Sequence, residues 1–291
     1  MTPSEYVATY LNLPVPLGES HVSKAWVRNY LHSGLGIQSV RAQSAQARLI
    51  AAVCVKLQID SNLPATFQFE GHEVVYKSIK RVFMGKGAPD EIQTVLWMAS
   101  CCGLLEKRSL SNYCDNNLGI DASGFVANYW GIGKPARGDE HPVGWSGLKP
   151  RYIWHTNRAF RRGEWREIQV GDAAIFFRGV RKDNPDQALT KNSYGSEAVH
   201  IGIVAAIYPG DAEDTVRLRI AESSGAARSD GGSGVYVRDI GQVTVKTARS
   251  LVYFENEIGN ERCYFTGPLR QPSPYEAEYN GNLQERLGKR T

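Results

Sequence analysis

A chain of 291 residues with 42% apolar and 22% charged side chains can bury a sizeable core and carries neither a disordered nor a collagen-like bias. Its 34 basic residues against 30 acidic ones leave a formal charge of +4, too even a balance to argue for nucleic acid, although it allows attraction to an anionic polymer such as a cell wall. The five cysteines, Cys54, Cys101, Cys102, Cys114 and Cys263, lack zinc-site spacing and read as reduced, mostly buried thiols, and no run of about 18 apolar residues offers a membrane span.

The first residues, Met1-Thr-Pro-Ser-Glu-Tyr-Val-Ala, have neither the basic start nor the apolar core of a signal peptide, which predicts synthesis in the cytoplasm. Up to Leu57 the apolar spacing predicts helices, with Tyr6, Tyr10 and Leu11 in one, Val22, Trp26, Val27 and Tyr30 in a second, and Ala45, Leu49, Ile50, Val53, Val55 and Leu57 in a third. His21 and His32 in this region read as caps or surface residues. Phe67 and Phe69 alternate before a Glu70-Gly71 turn and predict a short strand pair. Pro89-Asp90-Glu91 then opens a helix, because proline and acids suit the exposed N–H groups of a first turn, and Ile92, Val95, Leu96, Ala99 and Leu104 form its buried stripe. A loop holding Tyr113 and Cys114 follows.

Residues 118–130, Leu-Gly-Ile-Asp-Ala-Ser-Gly-Phe-Val-Ala-Asn-Tyr-Trp, read as a loop that turns into a helix near Ala122. Asp121 and Ser123 are residue types that accept from a first turn, and Phe125, Val126, Tyr129 and Trp130 recur at helical spacing. From Gly131 to Trp165 the chain is rich in Gly, Pro, Arg and Trp. Trp145, Trp154 and Trp165, with His141 and His155 between them, read either as the wall of a ligand groove or as a long packed loop. The apolar run at 170–177 predicts a strand covered on both faces, and 198–204 and 216–225 predict two more, the last carrying Glu222 near its end. Residues 226–234 are Gly/Ser-rich. Strands at 235–237, 243–245, 251–254 and 263–265 complete an antiparallel sheet, and a polar tail begins at Pro268. No Gly-rich phosphate loop, His-Glu-x-x-His or Cys-x-x-Cys pattern and no internal repeat supports a nucleotide, zinc or solenoid reading.

The run Asp121-Ala122-Ser123-Gly124-Phe125-Val126 resembles the Asp-Cys-Ser-Gly-Phe-Val nucleophile motif of the NlpC-like cell-wall peptidases, a bacterial branch of the papain-like cysteine peptidases, with alanine in place of the cysteine. The Gly171-Asp172 strand and His200-Ile201-Gly202-Ile203 are similar to that family's first strand and general-base strand. The resemblance implies an α+β fold: a papain-like NlpC-type catalytic domain over residues 89–267, in which a helix-borne nucleophile packs on an antiparallel sheet. A helical domain over residues 1–88 would precede it and a tail over 268–291 follow.

It also implies a cysteine peptidase or amidase acting on peptidoglycan stem peptides, often beside D-glutamyl residues, through an acyl-enzyme at position 122. His200 would be the general base that the Ala122 methyl faces, and no metal or organic cofactor is needed. The residue that would orient His200 is not fixed by the resemblance, and Glu222 reads equally as that group or as an exposed strand-end carboxylate. Asp121 and Ser123 flank the reacting position, and Tyr113 is the nearest tyrosine for the oxyanion. This chain departs from the family after Tyr113, where Cys114-Asp115-Asn116-Asn117 replaces a Gly-Gly pair, and Cys114 reads as structural.

Two readings of Ala122 stay open: a replaced nucleophile in an inactivated peptidase, which the intact downstream segments favour, or a pseudoenzyme that binds wall peptides. An acyl-transfer or deamidase activity on a protein is a further alternative. The implied partner is a peptidoglycan peptide, joined by an immunity protein if the chain is a delivered effector toxin. Such a protein would act at the cell wall or periplasm after export or delivery.

Overall fold

The computed structural model describes residues 1–17, 21–31, 36–105, 110–132, 150–179, 182–186, 200–225, 234–256 and 260–269. Helix α1 (Pro3–Tyr10) opens on a capping box, with Glu5 N donating to Thr2 Oγ1 at 3.3 Å and Thr2 N to the Glu5 carboxylate at 2.7 Å. Strands β1 (Leu13–Pro16) and β2 (Val22–Ala25) form a hairpin. The helix expected from Val22 to Tyr30 is therefore absent. Beyond β2 the backbone of this segment is taken by residues far along the chain: Ile120 N donates to Asn29 O at 2.9 Å and Leu31 N to Ile120 O at 3.2 Å. Tertiary pairing outweighs a helical spacing of four apolar residues.

Helix α2 (Gly36–Leu57) buries Ala45, Leu49 and Val53. Val55 does not join this stripe. It stands two residues past Val53, roughly 200° around the helix, and is 79% exposed. Strands β3 (Thr66–Phe69) and β4 (His72–Val75) pair around Glu70 and Gly71, both of positive φ, with Phe67 and Phe69 turned inward. Helices α3 (Tyr76–Phe83), α4 (Pro89–Cys101), α5 (Leu110–Asn117), α6 (Ala122–Tyr129) and α7 (Pro150–Thr156) follow. The segment around Tyr113 and Cys114, expected as a loop, is α5. Leu110, Tyr113, Cys114 and Asn117 recur at intervals of one, three and four, and all are buried.

Strands β5 (Ala173–Phe177), β6 (His200–Pro209), β7 (Thr215–Ser224), β8 (Gly234–Ala248), β9 (Leu251–Asn256) and β10 (Glu261–Thr266) close an antiparallel barrel in the order β10-β5-β6-β7-β8-β9. Residues 235–237 and 243–245, expected as separate strands, lie on the single strand β8. A bulge opposite Leu218 and Arg219, with Gly241 at φ 76°, bends it, so that its first part pairs with β7 and its last four residues with β9.

Alternation along these strands separates two apolar layers. Ala174, Phe176, Val204, Ile220 and Phe254 fill the barrel, while Ile175, Phe177, Ile201, Ile203 and Ala221 face outward into the helical core. That outer core is continuous with Phe125 and Val126 of α6 and with Tyr6, Leu49 and Phe69, so residues 1–88, which hold two hairpins besides their helices, share it. Trp154 is fully buried against Phe177 and Tyr264 beneath Arg161, which makes it a core residue and not a groove wall. Trp165 is half-buried and packs against the barrel core, and His155 lies 4.0 Å from Asp186. His32, His141, Trp145 and the tail beyond residue 269 fall outside the described residues.

Candidate functional site

Position 122 is the first residue of α6. Asp121 caps that helix, its Oδ1 accepting from Gly124 N at 2.5 Å and from Ser123 Oγ at 3.2 Å. A residue that sequence reasoning passed over completes the group. Lys86, buried on the turn between α3 and α4, pairs with Asp121 Oδ2 and donates to Ser123 Oγ at 2.5 Å. Its turn is closed onto the helix by glycines. A Cβ on Gly85, at φ +74°, would stand 2.4 Å from Leu31 O, and one on Gly124 would stand 2.5 Å from Gly85 O.

Both ends of α6 are tied to the barrel. At its start, Ile120 O accepts from Ser223 Oγ of β7 at 2.6 Å; past its end, Trp130 Nε1 donates to Gly171 O at 3.0 Å. The Gly171-Asp172 pair has a structural part in this. Gly171 N and Val204 O bond at 2.9 Å, and Asp172 holds Arg162 by two 2.8 Å bonds while accepting from Gln169 N.

His200 begins β6 and Glu222 lies near the end of β7. The register pairs Ile203 with Ala221 and so sets Glu222 diagonally beside His200, with His200 Nε2 2.8 Å from Glu222 Oε2. A carboxylate at that distance fixes the proton on Nε2 and leaves Nδ1 as the acceptor nitrogen. Glu222 is fully buried, which removes the reading as an exposed strand-end carboxylate. Burial alone would raise its pKa. The His200 bond and charge, the Arg238 guanidinium with Nε 3.1 Å from Oε1, and a hydrogen bond from Tyr236 outweigh that and hold the carboxyl below its ordinary value. Tyr236, directly across from Glu222, is in turn pushed up to about 12 by burial and by that carboxylate. Phe176 backs the site, 5.7 Å from the His200 ring and 5.2 Å from the Arg238 guanidinium carbon. Gly202 lets the strands close here, since a Cβ would lie 2.4 Å from Ile220 Cγ2 and 3.2 Å from Glu222 Cβ.

The structure thus brings together His200 with Glu222, and separately Asp121 with Ser123 around Ala122. Glu222 shares its side of β7 with Val216, Leu218 and Ile220 of the barrel interior, and His200 shares its side of β6 with Val204, whereas Ser223 bonds to the α6 loop and Ile201 belongs to the helical core. His200 is therefore not on the face of β6 that the helix covers. It stands at the strand's first position, where its side chain keeps 24% exposure, at the same barrel end to which Ile120 is tied.

Tyr113 is not part of either group. Its hydroxyl is buried without a hydrogen-bond partner and pushed up to about 12 by burial, against the opposing charge of Arg48 and with a smaller contribution from Cys114. The tyrosine that does feel Asp121 is Tyr30, whose ring lies against Gly225 at the end of β7; burial and that charge push it up to about 12. Cys114 is buried, its thiol pushed up to about 12 by desolvation and the Asp115 charge, the opposite of an activated nucleophile.

Among the described residues no group of three or more His, Cys, Asp or Glu is placed to hold a metal, and no helix is long and apolar enough to cross a membrane. An open groove of about 420 Å³ between α2 and α4 is lined by Ala51, Ala52, Val55, Lys56, Cys101 and Cys102, none of which belongs to either group. Compared with known proteins, the chain matches no family model, no curated protein and no solved structure.

Proposed function

We propose that this chain carries the active-site framework of a papain-like cysteine peptidase or amidase that hydrolyses peptidoglycan stem peptides, and that it is inactive as it stands because residue 122 is alanine. The reading rests on the resemblance of residues 121–126 and 200–203 to the NlpC-like motifs. The observation that carries it is the 2.8 Å His200–Glu222 pair at the barrel end to which the start of α6 is tied.

In this reading a thiol at position 122 loses its proton to His200 Nδ1, reached around the open end of β6 because the ring is not on the face that α6 covers, and attacks the scissile carbonyl. The imidazolium, held by Glu222, then protonates the leaving amine, and water releases the acyl group. The positive end of α6 favours both the thiolate and the oxyanion. A side chain that ends in a methyl supplies none of this, so the chain as given binds without turnover.

The test is Ala122→Cys incubated with purified sacculi, with the released fragments weighed by mass spectrometry. Cleavage that is lost again when His200→Ala is added supports the reading. A folded Ala122→Cys protein that releases nothing, while the unaltered chain binds stem peptides saturably, establishes the pseudoenzyme instead.

A further inference from the structure

We propose that Lys86 is a positioning residue for the group at position 122: its ammonium neutralises the Asp121 cap, so that the N–H groups of α6, and not the capping carboxylate, set the potential at the reacting atom. This rests on the reading of position 122 as the reacting position.

An aspartate cap secures the helix start but places a negative charge one residue from position 122, where it opposes any developing thiolate or oxyanion. Serine or asparagine would cap without that charge. Lys86 resolves the conflict, because its Nζ meets both residues flanking position 122, Asp121 through Oδ2 and Ser123 through Oγ at 2.5 Å. The pair is sheltered from solvent, with side-chain exposures of 9% and 10%, so the cancellation is little screened.

The turn that carries Lys86 is itself held. Its carbonyl accepts from Arg81 Nη2 at 2.7 Å and from Asn128 Nδ2 at 3.0 Å, Arg81 is paired with Glu91 at 3.1 Å, and Gly85 O accepts from Asp121 N at 2.9 Å. Ser123 is thereby assigned to this group and not to nucleophilic attack, since its oxygen already receives an ammonium proton. Among the described residues, Tyr30 feels Asp121 and the Arg81–Glu91 pair lies behind the Lys86 turn, while His200 and Glu222 stand on strands that α6 packs against but on the side turned away from it.

The experiment measures the pKa of the thiol that Ala122→Cys installs, from the pH dependence of its alkylation, with labelling read on the peptide containing position 122. Adding Lys86→Met raises that pKa by about one unit or more, and adding Asp121→Asn lowers it. Combining the two returns it close to the Ala122→Cys value, and Lys86→Arg preserves it. Circular dichroism confirms that each variant is folded. If Lys86→Met does not fold, the Asp121→Asn and combined variants, which leave no unpaired carboxylate, carry the comparison. An installed thiol whose pKa is indifferent to these changes, or one that the combined variant fails to restore, overturns the proposal. Because alkylation requires no wall cleavage, a peptidase reading that fails on sacculi is told apart from a failure of this one.

Discussion

Replacing Glu222 by glutamine keeps the shape of the side chain and removes the charge on which His200 and Arg238 converge. The His200 bond would fall from a charge-assisted to an ordinary hydrogen bond, a loss of about 1 kcal/mol. Breaking a fully buried ion pair costs about 3–5 kcal/mol; with the single glutamine oxygen kept on His200 the amide NH2 faces Arg238, but Arg238 keeps 31% exposure and can turn its guanidinium to water, which brings this part down to roughly 1–2 kcal/mol. Glu222→Gln should therefore destabilise the fold by about 2–3 kcal/mol at pH 7. The pH dependence has a definite sign. Glu222 has a folded pKa below its ordinary value of 4.5, so its stabilisation is complete above that value and is lost as pH falls through the folded pKa. Glutamine does not titrate, so the gap between the two proteins should be flat down to about pH 5 and close below it. Urea unfolding followed by tryptophan fluorescence at neutral and acidic pH reads both quantities. A gap that persists unchanged on acidification would show that the carboxylate charge is not what the site uses, and the assignment of Glu222 as the group that orients His200 would fall with it.

Two further substitutions probe the surroundings. Gly202→Ala places a methyl 2.4 Å from the buried Ile220 side chain in a strand whose ladder cannot yield, so it should destabilise by about 1–3 kcal/mol. In the Ala122→Cys background it should also lower turnover by moving Glu222 away from His200, and full turnover with wild-type stability would contradict that. Tyr113→Phe removes a buried hydroxyl that has no hydrogen-bond partner, so it should leave the urea midpoint unchanged or raise it, with unaltered turnover in the Ala122→Cys background. A large loss of turnover would return Tyr113 to the oxyanion site.

Elements whose signal is local were legible in the sequence. The unbroken apolar run of β5, the Phe67 and Phe69 alternation and the proline-acid start of α4 each express a period or a cap that a few residues contain. The failures are of another kind. Residues 22–31 have helical spacing, but residues 22–25 pair with β1, Val27 N donates to Tyr10 O, and Asn29 and Leu31 bond to Ile120, some ninety residues on. The unity of β8 depends on a bulge against β7, which a single strand cannot announce. Barrel closure through β10 and β5 pairs segments some ninety residues apart in the chain.

The candidate site divides along the same line. Asp121 as a cap is written in the four residues it governs, whereas the partnership of Lys86 with it spans thirty-five positions. The one local trace is that Lys86 sits between Gly85 and Gly87, an unusual setting for a surface lysine and a reasonable one for a turn pressed against another backbone. A Cβ on Gly87 would itself meet Val82 at 2.7 Å.

What joins the two groups is β7, and it does so through consecutive residues. Glu222 turns to the barrel interior and orients His200; Ser223 turns the other way and holds the loop that leads into α6. Because side chains alternate, a slip of one residue in the β6–β7 register would exchange these two and dismantle both groups at once. The register is fixed from both sides. Gly202 admits Ile220 and Glu222 at a distance no other residue at that position allows, and the bulge at Val204 and Ala206 is anchored by Val204 N to Asp172 O at 2.8 Å. The Gly-Asp strand start and the His-Ile-Gly-Ile strand thus bear on position 122 for a mechanical reason: together they set which face of β7 each of its residues presents, and hence where the start of α6 lies relative to His200.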